Sequence, residues 1–514
     1  IIEEENLRQI LKDEMFIKGK NKALTILSKA SQSEKKIREK LSHDFEEDVI
    51  DDVVDFLKKS GQRIWQILPL GPTAYGDSPY SSTSSFAFNP YFIDLEELVK
   101  LKLISSDDLI EVKSNKVDYG YLYNERFKVL HKAFLNREIL NGQFQKFVLH
   151  EDSWLNPYAE YMVLKREHEN KPWYLWYDDF KYKVDHAMVW FKEKYALDIL
   201  EQKFYQFLFV YQWEKLHNYA RKNGITIMGD MPIYCAYDSA DVWANPENFD
   251  LNDRLEPTFV AGCPPDDFSE DGQLWGNPLY NYKFMKENNY SWWVMRVKHS
   301  LEMFDVLRID HFRGFAGFYA IPYGDTNAKR GHWCDGPGYD LFKEINKKCR
   351  NARIVAENLG FLTDDVYELL EQCGYPGMHI FEFELADGKN PPIKKGFEEN
   401  SITYSGTHDN QTILSFYHEA NDVYKKCIDK LCKIKFTDRA ELKIIEYCMM
   451  QKSNMCIIPL QDYLGLTDSE GRMNIPSTAM GNWNYMAKKT DFSDELSKYM
   501  LKLAIKSNRF EITE

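Results

Sequence analysis

Four short apolar runs each lead to an acidic residue where they end, and this pattern constrains the fold more than any other feature of the chain. Val306-Leu307-Arg308-Ile309 runs into Asp310, and Arg353-Ile354-Val355-Ala356 runs into Glu357. Ile225-Thr226-Ile227-Met228 precedes Asp230, and Ile402-Thr403-Tyr404-Ser405 leads towards Asp409. Parallel strands buried on both faces read as continuous apolar runs, and barrel enzymes keep their chemistry at strand C-termini. Candidate strands recur at 225–230, 306–310, 353–357, 378–383, 402–407 and 456–460, with helical stretches between them, and 64–68 adds an earlier one. Alternation of this kind predicts a parallel α/β sheet, most simply a barrel.

The acidic residues arrive with basic company. Arg308, two residues before Asp310, lies on the same face of its strand, so its fixed charge is expected to keep Asp310 ionised and lower its pKa. Glu357 follows an apolar run, and a less polar setting is expected to raise its pKa. Carboxylates converging on one pocket beside Arg and His suit glycosidic-bond chemistry. A retaining enzyme needs one ionised carboxylate as nucleophile and a second, protonated one, about 5–5.5 Å away, as acid.

Bulk properties narrow the function classes. The net charge of −15 over 514 residues argues against a nucleic-acid surface, which needs a basic stripe. No apolar run approaches the ~18 residues of a membrane span. The nine cysteines are scattered and form no Cys-x-x-Cys pair, and the chain begins with the acidic Ile1-Ile2-Glu3-Glu4-Glu5. A cytoplasmic protein is expected, with no metal and no organic cofactor. Aromatics make up 15% of residues, enough for a large aromatic core and for stacking on sugar faces.

Residues 1–58 read as helices: Ala23, Leu24, Leu27, Ile37, Leu41, Val49, Ile50, Val53, Val54 and Leu57 follow helical spacing, with Ser33 as a cap. A Gly/Pro/Tyr/Ser loop spans 71–88, and 96–220 reads as a charged, aromatic helical insertion.

From about Val53 onwards the chain resembles the amylomaltases, the 4-α-glucanotransferases of glycoside hydrolase family 77. The carriers are Leu68-Pro69-Leu70-Gly71-Pro72-Thr73, Tyr75-Gly76-Asp77-Ser78-Pro79-Tyr80, Gly229-Asp230-Met231-Pro232-Ile233-Tyr234, Gly276-Asn277-Pro278-Leu279-Tyr280, Arg472-Met473-Asn474-Ile475-Pro476 and the segments around Asp310, Glu357 and Asp409. The resemblance implies an α/β (β/α)8 TIM-type barrel with helical insertions. It implies transfer of α-1,4-glucan segments between maltooligosaccharides with retention. Asp310 is then the nucleophile, Glu357 the general acid/base and Asp409 the transition-state stabiliser. Tyr80, Asp230, Arg308, His408 and Asn474 are expected at the cleavage subsite, Gln273 and Trp275 on an acceptor-side loop at 262–275, and Tyr75 at a secondary glucan site.

Two departures stand out. Where the family carries a tyrosine in the acceptor loop, this chain has Asp267, which puts the ratio of transfer to hydrolysis in question. The family's first barrel strand has no counterpart. Residues 1–52 instead resemble a RecX-type three-helix repeat, through Ala23-Leu24, Leu27-Ser28, Ser33-Glu34, Ile37-Arg38, Lys40-Leu41 and Val49-Ile50. The expected organisation is therefore a helical segment over 1–52 and a glucanotransferase barrel over 53–514, its first strand missing or replaced by helices. The net charge of −3 over residues 1–52 gives no phosphate-binding surface. A mainly hydrolytic α-glucanase and a glucan-binding protein with impaired turnover remain as alternatives. Donor length, cyclising ability and oligomeric state are not written in the sequence.

Overall fold

The computed structural model describes residues 52–74, 76–111, 114–265, 269–360, 362–386, 397–476, 478 and 480–511. The expectations for residues 1–51, for Tyr75 and for Asp267 lie outside the described residues. Phe56–Glu514 cluster as one compact unit. Its strands are β1 (Ile64–Gln66), β2 (Thr226–Met231), β3 (Phe259–Cys263), β4 (Gln273–Pro278), β5 (Val306–Ile309), β6 (Gly317–Pro322), β7 (His332–Asp335), β8 (Ile354–Ala356), β9 (Gly377–Ile380), β10 (Ser401–Tyr404) and β11 (Met455–Ile457).

Seven of them are parallel and follow chain order. One sheet runs β1-β2-β5-β8, and another runs β9-β10-β11. Ala356 N donates to Pro376 O at 3.0 Å just ahead of β9, which joins the two sheets edge to edge. These are the seven strands read from the sequence, with ends shifted by up to three residues. Residues 381–383, expected to extend a strand, instead open the helix Phe381–Ala386.

Side chains alternate along each strand, so register decides what points inward. Met228, Val306, Val355, Met378, Ile380, Ile402 and Tyr404 form the interior cluster, with Ile64, Met455 and Ile457 packed against it. Tyr404 Oη donates to Gln66 Oε1 at 2.8 Å, spanning the interior from β10 to β1. The same parity turns Asp230, Arg308, Asp310 and Glu357 inward one layer higher.

Among the described residues no strand pairs with the outer edge of β1 or of β11. The chain's C-terminal end ties the entrances of these two edge strands together. In the helix Asp494–Lys506, Met500, Leu503 and Ala504 pack with Phe56, Ile445, Met449 and Tyr463. Arg509 then donates to Met449 O, Gln451 O and Ser453 O at 2.8, 2.8 and 3.0 Å, just before β11. Phe510 lies under the Arg63 guanidinium, 5.4 Å from the ring centroid, just before β1. Gly61 lets this happen: its φ is +69°, and a Cβ there would meet Leu501 at 2.8 Å. Arg509→Ala is expected to cost about 3 kcal/mol, since three partly buried carbonyls lose a charged donor. An unchanged urea midpoint would show that the tether does not hold the edges.

The 96–220 insertion is helical as expected, built around the helices Asp152–Glu167 and Ala196–Lys222. Half of its aromatics, among them Trp173, Tyr158, Tyr161 and Phe204, are core. No helix among the described residues is long and apolar enough to cross a membrane. The second sheet, antiparallel and ordered β4-β3-β6-β7, is absent from the sequence reading, which left 262–275 as a loop. β4 and β7 are partly polar and largely exposed, so pairing with the buried β3 and β6 rather than pattern stabilises them. A Cβ at Gly262 would sit 2.1 Å from Gln273 O, so only glycine lets β4 approach β3 there.

Candidate active site

Arg308 organises the pocket. It is 3% exposed, and its Nη1 donates to both oxygens of Asp230, at 2.7 and 2.6 Å. Its Nη2 lies 3.0 Å from Asp310 Oδ1. The pairing follows from register: Asp230 faces Arg308 across β2 and β5, and Asp310 is one inward step further along. Breaking a buried pair of this kind costs about 3–5 kcal/mol, because a desolvated charge is left behind. Tyr80 Oη donates to Asp230 Oδ2 at 2.6 Å and lies 3.3 Å from His408 Nδ1. The Tyr80 and His408 rings stack at 4.8 Å, and Trp483 closes the group at 5.7 and 5.6 Å.

Glu357 stands on the next strand. Ile309 pairs with Ala356, and Glu357 N donates to Ile309 O at 3.0 Å, which sets Glu357 level with Asp310. Neighbouring strands are about 4.8 Å apart, so two carboxyls in register come close to the spacing a retaining pair uses. Glu357 is 7% exposed, and each oxygen accepts one backbone N–H: Oε2 from His311 at 2.6 Å and Oε1 from Leu359 at 2.8 Å. The left-handed backbone of His311, at φ +50°, turns its amide to that carboxyl. A non-glycine residue holds such a conformation only where its surroundings enforce it.

Burial raises the Glu357 carboxyl, against the pull of Arg308 and the two amides, in the direction the sequence implied. Asp310 does not follow expectation. Its side chain is 27% exposed, yet burial pushes it up to about 7, against Arg308 and with help from Asp230 and Glu357. The sequence places Arg308 beside Asp310 but does not show that Asp230 takes Nη1 with both of its oxygens. Burial, joined by the neighbouring Asp230 and Glu357, outweighs the pull of Arg308 on Asp310.

Asp409 is presented by the turn after β10 and is 48% exposed. Its Oδ1 accepts from Asn474 Nδ2 at 2.6 Å, and its Oδ2 lies 3.4 Å from His408 Nε2. Burial works to raise Asp409, but the His408 contact, Asn474 and the more distant Arg308 outweigh it and hold its carboxyl below the usual value. Asn474 N also donates to His408 O, and Arg472 Nη2 to Asp409 O, at 3.1 and 3.3 Å. On β4, Trp275 Nε1 donates to Gln273 Oε1 at 3.0 Å, and the Trp275 ring stands edge-on to His311 at 4.9 Å.

Thus Asp310, Glu357, Asp409, Tyr80, Asp230, Arg308, His408 and Asn474 share one connected network, with Gln273 and Trp275 linked to it through His311. Trp483 and Arg472 were missed as site residues. Arg472 lies in a motif the sequence reading quoted. Trp483 reaches the pocket through a left-handed backbone, φ +60°, that no local pattern announces. Among the described residues no three His, Cys, Asp or Glu side chains gather as metal ligands.

A parallel α/β sheet with carboxyls raised at its strand C-termini defines an enzyme of carboxylate acid–base chemistry, the class that breaks and remakes glycosidic bonds. A family model described as 4-alpha-glucanotransferase (Glyco_hydro_77) matches residues 44–490. The chain belongs to this family. A 4-alpha-glucanotransferase of Clostridium butyricum is 42% identical over 458 residues, 87% of this chain and 94% of the relative. One from Thermus thermophilus is 38% identical over 86% of this chain and 91% of its own. Among solved structures, an amylomaltase from Streptococcus agalactiae in complex with acarbose aligns at a TM-score of 0.86 with 36% identity, covering 89% of this chain and 94% of that one. A second model, RecX first three-helix domain, matches residues 20–57, most of them outside the described residues. Both resemblances read from the sequence are therefore found.

Proposed function

We propose that the chain transfers α-1,4-glucan segments between maltooligosaccharides by double displacement, with Asp310 as nucleophile, Glu357 as acid and base, and Asp409 as stabiliser. The observation that carries this reading is that Asp310 and Glu357 directly follow the paired residues Ile309 and Ala356, with Arg308 holding Asp310. Arg308 occupies Asp310 Oδ1 and leaves Oδ2 to attack the anomeric carbon. Glu357 gives its proton to the departing glycosidic oxygen as the glycosyl–Asp310 ester forms. It then takes the proton of an incoming sugar hydroxyl, which displaces Asp310 and restores both carboxyls. Asp409, held by Asn474 and His408, accepts hydrogen bonds from hydroxyls of the ring under attack, with Asp230 and Tyr80 beside it.

The Gln273–Trp275 pair lines the acceptor side, where excluding water favours a sugar over hydrolysis. The nine cysteines are scattered and form no Cys-x-x-Cys pair, which supports a reducing, cytoplasmic setting. Residues 1–52 are read as a segment separate from the barrel unit over 53–514. Maltotriose is the test substrate. A ladder of longer maltodextrins together with glucose is expected, whereas glucose and maltose alone would replace transfer by hydrolysis.

A further inference from the structure

Glu382 is a buried carboxyl that the mechanism above does not use. It lies on the helix Phe381–Ala386, at the C-terminal end of β9 and beside the turn that leaves β10. It is 7% exposed, and its Oε2 accepts from Asn410 Nδ2 at 2.9 Å. Among the described residues no donor reaches Oε1, which is closed off from solvent. Asn410 is also buried, and its Oδ1 accepts from Thr407 N and Thr407 Oγ1 at 2.9 and 2.7 Å. Thr407 Oγ1 in turn accepts from Asp409 N at 3.3 Å. A chain of hydrogen bonds therefore runs from Glu382 through both ends of the Asn410 amide to the backbone of Asp409. The Asn410 amide is locked in one orientation, because Thr407 requires its oxygen and Glu382 its NH2.

We propose that Glu382 is a positioning residue for the transfer reaction, fixing through Asn410 the turn that presents His408 and Asp409 to the sugar. It does so as a neutral acid. The charged groups around it are Asp462 and Asp468, which oppose ionisation, and Arg472, which favours it but is engaged by Asp468 at 2.8 Å. Burial is the largest influence and pushes the Glu382 carboxyl up to about 8. Above that pH an unpaired charge develops behind the turn, and the turn relaxes. The effect belongs on kcat, because a turn displaced by a fraction of an ångström misplaces a group that acts in the transition state.

The inference rests on the role assigned to Asp409, and the experiment separates the two. Maltotriose disproportionation is measured from pH 6 to 9 for the wild type, Glu382→Gln and Glu382→Ala, with thermal unfolding of each. If the wild type makes no ladder, the proposed function fails and Glu382 is not at issue. If it does, Glu382→Ala is expected to lose about tenfold or more in kcat at pH 6.5 with KM changed less than about twofold. Glu382→Gln, which keeps a neutral acceptor for Asn410, is expected to recover to within about threefold. It is also expected to keep a larger share of its activity at pH 8.5 than the wild type does. Equal kcat in Glu382→Ala and the wild type would overturn the proposal, as would a Glu382→Gln no better than Glu382→Ala. Should Glu382→Ala fail to fold, the alkaline profile decides: superimposable wild-type and Glu382→Gln curves overturn the proposal.

Discussion

Asp310→Asn is expected to remove glucan transfer almost completely, lowering kcat by about 10⁴-fold or more while the fold survives. The substitution is nearly isosteric. Its amide oxygen still accepts from Arg308 Nη2, and Arg308 keeps Asp230 through Nη1, so no buried charge is orphaned. What disappears is the electron pair that forms the ester. The maltotriose ladder should be missing at every pH, with a melting temperature close to that of the wild type. Retention of more than about one hundredth of the activity would place the nucleophile elsewhere. Asp310→Ala with added azide gives an independent check. Azide entering the vacated space should release a glycosyl azide of inverted configuration.

Glu357→Gln is expected to lower kcat by about 10²–10⁴-fold for maltotriose, with a far smaller loss for α-glucosyl fluoride, whose leaving group needs no proton. The pH profile carries the sharper test. In the wild type the acid must be protonated, so activity falls as pH rises through the Glu357 pKa. Asp310 must be ionised, so activity falls as pH drops below about 7. Glu357→Gln should remove the part of the alkaline limb that Glu357 causes, leaving only the loss above about pH 8 assigned to Glu382. It should also move the acid limb to lower pH, because Glu357 is one of the charges that raise Asp310. An alkaline limb unchanged from the wild type would mean that another group supplies the proton.

The contrast between Asp310 and Glu357 shows how far a sequence carries such an argument. For Glu357 the local run was sufficient: an apolar strand predicts a dry strand end, and a dry end raises a carboxyl. For Asp310 the neighbour two residues back pulls in the expected direction, but burial, which the local run did not show, outweighs it. Its partner Arg308 was already committed across the sheet to Asp230, 78 positions earlier in the chain. The antiparallel sheet that carries Gln273 and Trp275 was missed for a related reason. Its outer strands β4 and β7 are held by pairing with β3 and β6, and their own composition is too polar and exposed to declare them.

By itself the sequence determined the seven parallel strands, their order and the acidic residues at their ends, because burial on both faces demands apolar runs and the chemistry must lie just beyond them. It also carried the family, through motifs whose polar residues Tyr80, Asp230, Asp310, Glu357, Asp409 and Asn474 meet in one pocket. Tertiary structure alone decided which carboxylates share Arg308, how the Asp409 turn is braced by Glu382, Asn410 and Asn474, and how Arg509 and Phe510 tie the entrances of the edge strands β1 and β11. These are contacts between segments far apart in the chain. Their energies depend on desolvation and register, which only the folded arrangement sets.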